Sequence, residues 1–75
     1  MSHYYFVIRG RASESEDLGG MSLSDDGEAL AFGERVIRDL MREDARQYIG
    51  SIISVTEGQR AVGSIAFDAV RDQKT

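Results

Sequence analysis

The chain is predicted to be an α+β domain, an antiparallel sheet with one helix packed on one face, in the order ββαββ. Three observations predict it. A short run of aromatic and β-branched residues lies near the start, at Tyr4–Arg9. A stripe of apolar residues recurs at helical spacing between Ala29 and Met41. Two further β-type runs near the end are separated by the connection Glu57-Gly58-Gln59-Arg60.

The first strand, Tyr4 to Arg9, is closed by Gly10. Alternation puts Tyr4, Phe6 and Ile8 on one face and His3, Tyr5, Val7 and Arg9 on the other, so both faces are partly apolar. Gly10 to Ser24 is polar and contains Gly19-Gly20, a turn signal. Around that turn, Asp17-Leu18 and Met21-Ser22-Leu23 are expected to supply a short second strand. Ser24-Asp25-Asp26 then opens the helix. Ser24 or Asp25 can accept a bond from an orphan N–H, Asp25 and Glu28 have capping-box spacing, and first-turn carboxylates suit the helix dipole.

The stripe comprises Ala29, Leu30, Gly33, Val36, Ile37, Leu40 and Met41. Gly33 within it costs about 1 kcal/mol against alanine, which points to close approach of helix and sheet. The helix is expected to fray near Arg46 and stop before Gly50. Ser51–Thr56 and Ala61–Val70 read as the hairpin strands, with Ile53 and Val55 facing Ile65 and Phe67. The reverse faces carry Ser54, Thr56, Ser64 and Ala66, with Ile52 and Val62 as apolar exceptions, and 71–75 reads as a polar tail.

Composition narrows the function. Seventy-five residues suit a single domain spanning 1–75, with one core. The chain lacks cysteine, which excludes a disulfide scaffold, a thiolate zinc site and a cysteine nucleophile. One histidine, His3, leaves too few parts for a histidine-rich metal centre or a Ser-His-Asp triad. No run approaches the ~18 apolar residues of a membrane span, and Met1–Phe6 lacks a basic n-region, so the expected compartment is the cytoplasm. Nine basic residues against thirteen acidic, a net charge of -4, disfavour broad phosphate-backbone binding.

The order Tyr4-Tyr5-Phe6-Val7-Ile8-Arg9, an acidic segment ending in a glycine turn, and a Leu-x-Asp helix start at Leu23 and Asp25 resembles a known family. It is a family of small bacterial proteins, common in alphaproteobacteria, whose members usually open with Tyr-Phe-Phe-x-hydrophobic-Arg and which is known as a domain of unknown function. The resemblance continues through Gly20, Ala29 and the final hairpin to Phe67-x-Ala69. Val7 stands where the family often has a polar residue, and Ser24 where it usually has proline. The resemblance implies the fold and no established activity.

Several chemistries can be weighed on the residues. Glu14, Glu16 and Asp17 with Asp25, Asp26 and Glu28 have oxygen ligands suited to calcium or magnesium. Their spacing does not match an EF-hand loop, the second group is already used in capping, and a solvated loop is expected, with no metal and no cofactor. Arg35, Arg38, Arg42 and Arg46 share one helix face and form the candidate nucleic-acid contact, joined by the stacking aromatics Tyr4, Tyr5 and Phe6. Against it, Glu34–Arg38, Arg35–Asp39, Asp39–Arg42 and Glu43–Arg46 have ion-pair spacing that neutralises the patch. His3, Ser51 and Ser64 have no catalytic partner in view, so no enzymatic activity is expected.

Geometry supplies the strongest candidate. One helix covers one face of a sheet, which leaves Tyr5, Val7, Ile52 and Val62 as the candidate interaction surface on the other. The expected role is a protein-interaction or homodimerising module, with a nucleic-acid-binding or regulatory module as the alternative.

Overall fold

A computed structural model describes residues 1–12 and 14–69 of the chain. Its elements are β1 (Ser2–Arg9), β2 (Ser15–Leu23), α1 (Asp26–Tyr48), β3 (Ile52–Glu57), β4 (Arg60–Ala66) and a 3-10 turn, Phe67–Ala69. The four strands form one antiparallel sheet in the order β2-β1-β3-β4. This is the ββαββ arrangement predicted from the sequence. The expected polar tail at 71–75, and Val70 at the end of the predicted last strand, lie outside the described residues.

The core forms where alternation said it would. Tyr4, Phe6 and Ile8 of β1, Ile53 and Val55 of β3, and Phe67 are buried with Ala29 and Ile37 of the helix. Apolar burial of these side chains is the main driving force for holding helix to sheet. Gly33 lies where helix and sheet pack closely. A Cβ there would lie 3.3 Å from Ile65 Cδ1 and 3.8 Å from Ile53 and Val55 methyl groups.

The expected turn at Gly19-Gly20 is not a turn. Strand β2 runs through it for nine residues. The Asp17 carboxylate accepts a hydrogen bond from Gly19 N–H at 2.8 Å, and Gly19 has φ 89. Between the pairs Val7↔Asp17 and Tyr5↔Gly20, two residues of β2 oppose one of β1. The glycine therefore makes a β-bulge, which glycine permits because positive φ carries no Cβ penalty. The chain reverses earlier, where Gly10 N–H bonds to the Glu14 carbonyl at 2.8 Å.

Helix α1 starts as its capping residues dictate. Asp25 accepts from Glu28 N–H at 2.8 Å, and the Glu28 carboxylate reaches back to Ser24 N–H at 2.7 Å. The expected fraying near Arg46 takes the form of a break two residues earlier. Asp44 is non-helical (φ -155, ψ 75), and the helix resumes for one turn before ending at Tyr48. At the other end of the sheet, Glu57 pairs with Arg60 around a two-residue turn in which Gly58 has φ 61. The last strand ends at Ala66 rather than continuing. Phe67 reaches the core from the 3-10 turn instead.

Candidate functional site

Strand pairing fixes the composition of the face turned away from the helix, which no described element covers. His3, Tyr5, Val7 and Arg9 alternate away from the buried residues of β1, with Thr56, Ser54 and Ile52 beside them on β3. The next rows out are small: Ser22, Gly20 and Ser15 on β2, and Ala61, Ser64 and Ala66 on β4, with Asp17 opposite Val7. Tyr5 is 43% exposed, and Val7 and Ile52 are half-buried. The outer rows of this face lack bulk.

Tyr5 owes its position to Gly20. A Cβ at Gly20 would sit 2.7 Å from the tyrosine ring, so the ring lies over bare glycine backbone. His3 flanks it, with ring centroids 5.2 Å apart, and hydrogen-bonds the Ser22 hydroxyl at 3.3 Å through Nδ1. The aromatic side chain is thereby held down on the sheet without being covered.

Val62 does not join this face. The register between β3 and β4 shifts at Val55/Thr56, so Val62 falls in a bulge between Ala61 and Gly63. It packs against the buried core instead. The candidate surface thus consists of Tyr5, Val7 and Ile52. The stacking tripeptide is likewise divided, since Tyr4 and Phe6 are 1% and 2% exposed on the helix side and leave Tyr5 alone on the open side.

The helix arginines are exposed, and two are engaged by carboxylates on the same helix. Arg38 meets Glu34 at 3.9 Å and Arg42 meets Asp39 at 3.6 Å. Arg46 lies beyond the non-helical Asp44 and no longer follows the spacing of the other three. Among the described residues, no group of three or more His, Asp or Glu side chains is placed to hold a metal ion. Ser51 is buried as the chain enters β3, and Ser64 lies in the middle of edge strand β4. No helix among the described residues is long and apolar enough to cross a membrane.

Two features were not anticipated from the sequence. The first is a polar knot at one end of the sheet. Arg60 donates to both oxygens of Asp26, at 3.0 and 2.8 Å, and its Nε donates to Glu57 at 3.1 Å. The Tyr4 hydroxyl donates to the same Asp26 at 2.8 Å. Hydrogen bonds from Arg60 and then Tyr4 hold the Asp26 carboxyl below its ordinary range, and bonds from Ser2 and then Arg60 do the same for Glu57. Burial first, and the Asp26 contact second, push the Tyr4 phenol up. The signal was present in Glu57 and Arg60 flanking a two-residue turn, but their meeting with Asp26 depends on the tertiary fold.

The second is a shallow apolar groove of about 270 Å³ between β2 and α1. Phe6 and Phe32 form its floor, 5.1 Å apart edge to face, and Leu18 and Met21 border it, 39% and 37% exposed. Phe32 lies one position off the predicted stripe, which hid it.

Together these features define a class: a small two-layer α+β protein with one helix on one side of its sheet and a lightly apolar face with small outer rows on the other. Residues 3–68 match the family described as Domain of unknown function (DUF6894), and the chain belongs to that family. Comparison with curated proteins and with solved structures returns no match.

Proposed function

We propose that the chain is a non-catalytic interaction module that docks a protein surface on the uncovered face of its sheet. The observation that carries this reading is Tyr5, held at 43% exposure over Gly20 beside half-buried Val7 and Ile52. Completing the burial of such side chains contributes about 1 kcal/mol each, and outer rows of small residues leave room for another layer at the usual ~10 Å. The in-helix pairing of Arg38 and Arg42 weighs against the nucleic-acid alternative.

A photo-crosslinking side chain placed at Tyr5, with a control at exposed Arg38, tests the reading inside the producing cell. The expected result is a protein adduct from position 5 that disappears when Val7→Arg is added, with position 38 unlabelled. Equal labelling from both positions, or none from position 5, overturns it.

A further inference from the structure

We propose that the occupant of the uncovered face is a second copy of this chain, docked about a two-fold axis with Arg9 of each copy against Asp17 of the other. The proposal rests on the docking reading above and adds the partner. Among the described residues, strand pairing places one basic and one acidic side chain on the face. Arg9 lies on β1, and Asp17 lies on β2 opposite Val7, one strand over and two residues along. That offset is about 8 Å. Among the described residues, the ion pairs lie elsewhere, at Glu34–Arg38, at Asp39–Arg42 and around Arg60.

A two-fold interface makes every contact twice, so a face carrying one cation and one anion, offset from each other, is complementary to itself. Tyr5 and Val7 lie beside this pair and would be covered with it. Four strands ~4.8 Å apart and about seven residues long give a footprint of roughly 450 Å² per copy. That is small against the ~800 Å² per partner of a standard interface, so the association is expected at the weak, reversible end. Net charge of -4 on each copy adds long-range repulsion, screened beyond ~8 Å at physiological ionic strength.

Sedimentation equilibrium of the full chain at physiological salt tests the proposal. Arg9→Asp alone and Asp17→Arg alone set like charges against each other and should weaken self-association by about tenfold or more. Mixing the two variants restores both opposite-charge contacts, so a heterodimer should form with Kd within about threefold of the wild-type value. Asp17 also accepts from Gly19 N–H. Should circular dichroism show Asp17→Arg unfolded, Asp17→Asn keeps that acceptor and should still weaken the dimer. A wild-type chain that stays monomeric at hundreds of micromolar overturns the proposal, as do charge variants that dimerise like wild type. Self-association weakened by Tyr5→Ser yet indifferent to both charges overturns the Arg9–Asp17 pairing and leaves the docking reading intact. A dimer indifferent to Tyr5→Ser as well would remove that reading too.

Discussion

Arg60 grips Asp26 with two parallel hydrogen bonds across 34 residues of chain, at 3.0 and 2.8 Å. The pair joins the first residue of the helix to the first residue of the last strand, and the Tyr4 hydroxyl brings β1 into the same contact. Exposed ion pairs contribute little on their own, but a forked guanidinium–carboxylate contact within a network is the favourable case. Arg60→Lys cannot reproduce the fork and should lower the thermal midpoint by a few degrees, as should Asp26→Asn. The two changes combined should cost less than their sum, which thermal melts of the double-mutant cycle measure directly. Strict additivity would show that the contact carries no coupling.

The same knot sets the pH dependence. Asp26, Glu57 and Glu28 are all held below their ordinary values, 3.8 for Asp and 4.5 for Glu, by hydrogen bonds made in the folded chain. A depressed carboxylate stabilises the fold above its unfolded value, and that stabilisation is lost as pH falls through the folded value. Tyr4 and Tyr48 are raised above 10.0, mainly by burial. Their contribution is complete below that value and is lost as pH rises through the folded value. Stability should therefore be level between about pH 5 and about pH 10, falling on both sides. Asp26→Asn should remove part of the acid limb and Tyr4→Phe part of the alkaline limb, read from urea midpoints across pH. An acid limb unchanged by Asp26→Asn would dissociate the carboxylate from the effect.

Gly33 separates helix propensity from packing. Alanine gains about 1 kcal/mol of propensity in a helix interior. Its Cβ would meet Ile65 Cδ1 at 3.3 Å, and that atom ends a flexible side chain on edge strand β4. Gly33→Ala is therefore expected to be neutral or stabilising by up to about 1 kcal/mol. Gly33→Leu should destabilise by about 1–3 kcal/mol through overpacking against Ile53 and Val55. Chemical denaturation of both variants checks the pair of signs, and a destabilised alanine variant would mean that Ile65 cannot yield.

Local chemistry explains why the fold was legible. Alternation in Tyr4–Ile8, the stripe from Ala29 to Met41 and the cap at Asp25 each act within a few residues, and all three appear as read. The misread positions are those where pairing between distant segments decides. Gly19-Gly20 has a turn composition, but β1 pairs along β2 on both sides of it and leaves a bulge. Val62 alternates toward the open face on paper, yet a register shift in β3–β4 turns it to the core. The open face was legible at Tyr5, Val7 and Ile52 because one helix cannot cover two sides. Asp26 reads locally as helix-start chemistry or a cation ligand, since nothing near it in sequence announces Arg60 or Tyr4.

Phe67 governs how the end of the helix is held. It is fully buried, its N–H bonds to the Ser51 carbonyl at 2.9 Å, and its ring stacks on Tyr48 with centroids 5.3 Å apart and planes 13° apart. The turn that carries Tyr48 follows the break at Asp44, so its own hydrogen-bond ladder connects it poorly to the rest of the helix. Tertiary contact is what keeps such a turn in place. Truncating a buried phenylalanine costs about 3–5 kcal/mol, against a total of roughly 4–11 kcal/mol for a chain of this length. Phe67→Ala should accordingly remove a large share of the stability, read as a lowered denaturation midpoint. Tyr48→Ala removes the stacking partner while leaving Phe67 in the core, and should act locally. Amide exchange at residues 45–49 should then quicken well before that of β1 and β3, which hydrogen exchange read residue by residue detects. Exchange that quickens uniformly across sheet and helix would show instead that the last turn and the core open as one unit.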